Sequence, residues 1–129
     1  MYATMKASDP ALYSHDTLFC GRIRLAQRAR GHKAGTDAVL LATALAPARG
    51  ERIADFGAGS GAVGLMAMSA AADCSLVMIE RARELADLCR LNAIANERAS
   101  DTLVVCADLL AGPVLDHASI DRVYTNPPF

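Results

Sequence analysis

Arg52-Ile53-Ala54-Asp55-Phe56-Gly57-Ala58-Gly59-Ser60-Gly61 is followed by a run of small residues from Ala62 to Ala72. An apolar strand, a glycine-rich turn and a small-residue helix make the opening of a βα unit. The glycines allow a tight turn and let a ligand approach bare backbone. The helix beyond offers free N–H groups at its start, and its small side chains suit it to lying close on a sheet.

Working outward, Ser75 to Glu80 is a nearly continuous apolar run, the pattern of a strand covered on both faces. Arg81 to Asn96 reads as a helix, with Leu85, Leu88 and Cys89 at helical spacing and Arg83/Asp87 as an i,i+4 pair. Thr102 to Cys106 is a third strand, closed by Ala107-Asp108, and Ile120 to Tyr124 a fourth. The connection Leu109 to Ser119 contains Gly112-Pro113 and leaves room only for a brief helix. Alternating strands and helices predict an α/β fold of Rossmann-like type, a mostly parallel sheet with right-handed crossovers.

The front of the chain reads differently. Residues 1–16 form a polar lead-in, and Thr17 to Gln27 a short hairpin around Gly21 with Arg22 and Arg24 on one face. Arg28 to Gly35 is a basic loop. Thr36 serves as N-cap of a helix over Asp37 to Ala46, whose apolar side is Val39, Leu40, Leu41 and Leu45. The expected organisation is a lead-in and basic hairpin over 1–34, then one ligand-binding unit over 35–129.

Composition narrows the class. The chain has 129 residues, 53% hydrophobic and 21% charged, which suits one compact domain rather than disorder. With 5% aromatics and no Trp the core must be aliphatic, with the five Met as filler. Cys20, Cys74, Cys89 and Cys106 form no CxxC pair, so reduced thiols are expected rather than a zinc site or disulfides. His15, His32 and His117 do not cluster and read as surface or loop residues, so no metal is expected. No run of about 18 apolar residues and no signal-peptide core occurs, and the expectation is a cytoplasmic protein without a membrane partner.

Net charge is −1, but it is unevenly spread. Residues 1–50 carry seven Lys/Arg against three Asp, a net +4; residues 51–129 carry six basic and eleven acidic side chains, a net −5. A basic front suggests contact with a polyanion, and Arg22, Arg24, Arg28, Arg30 and Lys33 are the candidates for RNA phosphates.

Three acidic residues, Asp55, Glu80 and Asp108, end successive strands on one rim of the sheet, where open α/β folds bind ligands. A carboxylate at Glu80 can accept both hydroxyls of a ribose. Gly59-x-Gly61-x-x-Gly64 matches the dinucleotide fingerprint, yet Asp55 would repel a pyrophosphate and suits a zwitterionic amino-acid moiety better. That favours S-adenosylmethionine over NAD.

Asn126-Pro127-Pro128-Phe129 follows the fourth strand. Two prolines hold the turn stiff. The Asn126 side-chain carbonyl and the Pro127 main-chain carbonyl can then grip one exocyclic NH2 and favour the positive charge that develops on nitrogen. Phe129 offers a flat face to a planar base.

With these motifs the chain resembles class I S-adenosylmethionine-dependent methyltransferases with an Asn-Pro-Pro-aromatic motif, which act on amino nitrogens. The likeness runs from about Gly35 through Phe129. It implies Asp55 and the Gly57, Gly59 and Gly61 turn around the methionine part, Glu80 on the ribose, Asp108 near the adenine amino group with Leu109 beside it, and Asn126 with Pro127 on the target nitrogen. Thr17 to Gln27 followed by Gly31 to Ala42 is further similar to the front segment of the tRNA(Val) adenine-N6 methyltransferase family, which would put Gly35, Thr36 and Asp37 next to the methionine end.

Related rRNA guanine-N2 and protein glutamine methyltransferases share this core and remain rivals, beside a nicotinamide-dependent oxidoreductase and a non-catalytic RNA-binding fragment. Folds of this kind continue for three more strands, so the expectation is an N-terminal part of a longer protein, truncated after the fourth strand of the sheet. The sequence leaves the oligomeric state open.

Overall fold

The computed structural model describes residues 8–71 and 73–127. Four strands form one parallel sheet: β3 (Arg52–Phe56), β4 (Ser75–Glu80), β5 (Thr102–Cys106) and β6 (Arg122–Tyr124), in the order β5-β4-β3-β6. The first three match the sequence reading residue for residue. β6 is shorter: Ile120 and Asp121 lie outside it, and Asp121 instead closes its entry, its N–H donating to Arg52 O at 2.9 Å.

Helix α1 (Thr36–Leu45) precedes the sheet, α2 (Ala62–Ser69) follows β3, and α3 (Arg83–Ala95) follows β4. One sheet face carries Ile53, Leu76, Met78 and Tyr124 and packs in a single core with buried residues of all three helices. The other face, with Ala54, Val77 and Ile79, packs against Val114, Leu115 and Ile120 of the connection between β5 and β6. That connection holds only a 3-10 turn at Leu109–Ala111. Helix α2 is buried from Ala62 to Met68, and its small residues permit close approach. A Cβ on Gly64 would stand 2.6 Å from Leu76 Cδ2 and 2.7 Å from the Tyr124 hydroxyl.

The front segment departs from the sequence reading in three ways. The first hairpin strand, β1 (Tyr13–Leu18), begins at Tyr13 rather than Thr17 and pairs antiparallel with β2 (Ile23–Arg28). Part of the supposed lead-in is therefore sheet, since Tyr13 is buried and its hydroxyl donates to Glu84 at 2.9 Å. Phe19, Cys20 and Gly21 all take left-handed conformations in the turn. Second, Thr36 is the first helical residue of α1 and not its cap; Gly35 is the cap and supplies no side-chain bond. Third, α1 buries Ala38, Ala42 and Leu45, while Leu40 is 65% exposed. Alanines face inward because α1 packs closely on the small-residue helix α2.

Two smaller readings also change. α2 ends at Ser69, not Ala72. Asp87 pairs with Arg90, at 2.7 Å, and not with Arg83.

Asparagines hold the hairpin onto α3. Asn92, 1% exposed, accepts from Ala26 N at 2.8 Å and donates to Ala26 O at 2.9 Å and Ser60 O at 2.8 Å. One turn further, Asn96 does the same to Arg24, at 2.9 and 2.7 Å. Each side-chain amide stands in for a neighbouring strand, so β2 is paired on both edges.

Candidate functional site

The carboxyl ends of β3, β4 and β6 meet at the glycine turn. Gly57, Gly59 and Gly61 all have positive φ, at 77°, 60° and 88°. Their side-chain directions differ. A Cβ on Gly57 or Gly59 would meet nothing within 4 Å, whereas one on Gly61 would lie 2.9 Å from Met78 Sδ. Gly61 and Gly64 thus serve packing, while Gly57 and Gly59 leave open space. The turn is anchored from below: Gly57 N donates to Ile79 O at 2.9 Å, and Cys89 Sγ donates to Gly59 O at 3.0 Å.

A cleft of about 230 Å³ opens over this turn, lined among others by Gln27, His32, Asp55, Gly57, Gly59 and Asn126. Small-molecule sites usually measure about 300–1,000 Å³, so the cleft suits one part of a nucleoside cofactor. Arg28 and Arg30 also border it. Gln27 and His32 did not stand out in the sequence. Gln27 is buried because its amide bridges Asp16, at 3.0 Å, and Ala34 N, at 2.8 Å.

Asp55 is 2% exposed, and burial pushes its carboxyl up to about 7, with Glu80 nearby adding to the rise. Register sets Asp55 directly beside Tyr124 of β6. The buried Tyr124 hydroxyl beside the carboxylate opposes that rise without cancelling it. Tyr124 is itself raised, by burial first and Asp55 second.

Glu80 closes β4 with both oxygens engaged: Oε2 accepts from Gly59 N and Oε1 from Ala82 N, each at 2.9 Å. It does not line the cleft, but it holds Gly59, which lines the cleft together with Asn126. Asp108 and Leu109 follow β5 outside the cleft, and the exposed Asp108 carboxylate accepts from Leu110 N at 2.9 Å.

Past β6, Thr125 Oγ1 donates to Phe56 O at 2.8 Å and Asn126 Nδ2 donates to Asp37 Oδ2 at 3.0 Å. Asp37, held below the usual carboxylate range by Asn126 first of all, reaches the site through that bond. Gly35 and Thr36 stand beside the cleft without lining it. Pro127 is exposed, and Phe129 lies outside the described residues.

Of the five basic candidates, Arg28 pairs with Glu84 at 2.6 Å and Lys33 with Asp16 at 3.9 Å. Arg22, Arg24 and Arg30 are exposed and make no ion pair among the described residues. No group of three or more His, Cys, Asp or Glu is placed to hold a metal among the described residues, and no helix there is long and apolar enough to cross a membrane.

A parallel sheet with its glycine turn, strand-end carboxylates and post-strand Asn-Pro segment defines the class I methyltransferase type of fold. Residues 31–129 match the methyltransferase small domain, and the chain belongs to that family. It is 36% identical over 99 residues to a tRNA1(Val) (adenine(37)-N6)-methyltransferase of Enterobacter sp. (strain 638), covering 75% of this chain and 40% of that protein. The chain thus spans about two fifths of the length of that curated relative.

Among solved structures, a T. thermophilus 16S rRNA N2 methyltransferase in complex with AdoMet and guanosine aligns with TM-score 0.74 at 23% identity, over 93% of this chain and 34% of that one. A Thermotoga maritima SAM-dependent O-methyltransferase aligns with TM-score 0.63 at 23% identity, over 77% and 37%. The cofactor these comparisons imply is S-adenosylmethionine. The residues present fit it: Gly57 and Gly59 leave an open cradle, and the buried Asp55 carboxyl lines the same cleft.

Proposed function

We propose that the protein is an S-adenosylmethionine-dependent N-methyltransferase acting on an exocyclic amino group, adenine N6 in tRNA. The observation that carries this reading is the meeting of Asn126 with Asp55 and the glycine turn in one cleft. The likeness to a tRNA adenine-N6 methyltransferase supports the choice of base. Residues 35–129 are read as the cofactor-binding unit and 1–34 as its RNA-facing front.

Asp55, Gly57, Gly59 and Gly61 would hold the methionine part, Glu80 the ribose and Asp108 with Leu109 the adenine; the resemblance adds Gly35 and Thr36 at the methionine end. When bound, the cofactor supplies a methyl group on a sulfonium sulfur. The Asn126 Oδ1 and the Pro127 carbonyl would accept the two N–H groups of the target amine. That turns the nitrogen lone pair toward the donor and stabilises the charge developing on nitrogen. The proton then leaves to water. Phe129 would stack on the base, and Arg22, Arg24 and Arg30 would take RNA phosphates.

A second reading, guanine N2 in rRNA, is favoured by the wider structural overlap with the 16S rRNA N2 methyltransferase. The test is incubation with methyl-labelled cofactor and separate pools of tRNA, rRNA and a glutamine-bearing release factor, followed by nucleoside mass analysis. N6-methyladenosine in tRNA is the expected product. Label only as N2-methylguanosine or in protein would overturn the adenine assignment.

A further inference from the structure

We propose that Asp37 is a positioning residue that fixes the amide of Asn126 with its carbonyl, rather than its NH2, available to the substrate. The inference rests on the N-methyltransferase reading and deepens it, because it explains how the site selects an amino group. The resemblance puts Asp37 at the methionine end of the cofactor. The structure gives its carboxylate a different partner, the Nδ2 of Asn126 at 3.0 Å.

An asparagine amide is ambiguous by shape, since its O and NH2 ends are nearly equal in size. Its orientation is decided by neighbours. An ionised carboxylate is an acceptor only, so it takes the NH2 end and repels the oxygen. Asp37 sits in the first turn of α1, where the helix dipole favours an anion. Asn126 and the backbone N–H groups of Ala38 and Asp37 itself all favour its charged form.

The arrangement is braced on both sides. Thr125, the residue before Asn126, is tied to Phe56 O at the end of β3. On the other side, Gly35 leaves room for the carboxylate: a Cβ there would stand 3.2 Å from Asp37 Oδ1. With Nδ2 committed to Asp37, the opposite corner of the amide, Oδ1, is the acceptor left for a ligand in the cleft. A site with a fixed acceptor at that point takes a substrate N–H and disfavours a carbonyl, which separates an exocyclic amine from a keto oxygen.

The test uses Asp37→Asn, which keeps the shape but allows either amide orientation. In ¹⁵N-labelled protein the Asn126 side-chain amide signal, assigned by its loss in Asn126→Ala, should shift in Asp37→Asn. An unmoved signal overturns the proposal. In methyl-transfer assays, kcat should fall about 100-fold, with KM for S-adenosylmethionine and Kd for S-adenosylhomocysteine within about threefold. A weakened cofactor with unchanged kcat would overturn it in favour of a cofactor-contact role. The amide signal reads the contact even where no methyl transfer is detected, so failure of the N-methyltransferase reading and of this proposal are told apart.

Discussion

Asp55 concentrates the cost of building this site. A carboxyl whose folded value is about 7, against an ordinary 3.8, keeps its proton in the native state across pH 4–7 while the unfolded chain releases it. The native state therefore binds more protons in that window, and stability falls as pH rises through it, by about 4 kcal/mol at full extent. Urea unfolding at pH 5 and pH 8 should show most of this loss, about 3 kcal/mol, and Asp55→Asn should flatten the profile. A bound cationic amino group would favour the charged form, so cofactor affinity should rise between pH 6 and pH 8. Calorimetry in buffers of different ionisation enthalpy should record proton release.

Gly64 carries a different kind of cost. A methyl there collides with Leu76 and Tyr124, so Gly64→Ala should destabilise by about 1–3 kcal/mol, read as a lower thermal midpoint. The sequence presents Gly59, Gly61 and Gly64 as one fingerprint; only the packing separates the glycine that faces open space from the two that permit close approach.

Among the elements, β3, β4 and β5 were legible to the residue because each is a compact apolar run bounded by Gly, Asp or Glu. β1 was not, since Tyr13-Ser14-His15-Asp16 is mostly polar and only Tyr13 is buried. α1 was legible as a helix, but its buried face was misjudged, because close packing on α2 rewards alanine over leucine. Asn92 gave no signal either; a polar residue amid a helix reads as solvent-facing until β2 is laid beside it. Asn92→Ala would leave three backbone groups of β2 and the glycine turn without partners. That should cost about 3 kcal/mol and raise amide exchange in β2 ahead of β4.

For the whole molecule, the rim of the sheet was readable from strand-end residues alone, whereas the wall of the cleft was not. Gln27 and His32 join it only because the hairpin is clamped to α3 by Asn92 and by Glu84, which holds both Tyr13 and Arg28. The same clamp sets the basic hairpin, with Arg22, Arg24 and Arg28, against the more acidic sheet unit. If Arg22, Arg24 and Arg30 meet phosphates, the slope of log affinity for RNA against log salt should fall by about 2 in their triple alanine variant. Filter binding from 50 to 300 mM salt checks this; an unchanged slope places the RNA elsewhere.

In the proposed reaction one cleft holds a sulfonium nucleoside while Asn126 aims an amine at it. Its most direct measurement is labelled methyl transfer to tRNA by the protein and by Asn126→Ala, both at saturating cofactor, alongside their affinities for S-adenosylhomocysteine. Affinities should agree within about threefold, and transfer should fall by at least about 100-fold in the variant. Equal transfer by the two proteins would contradict it.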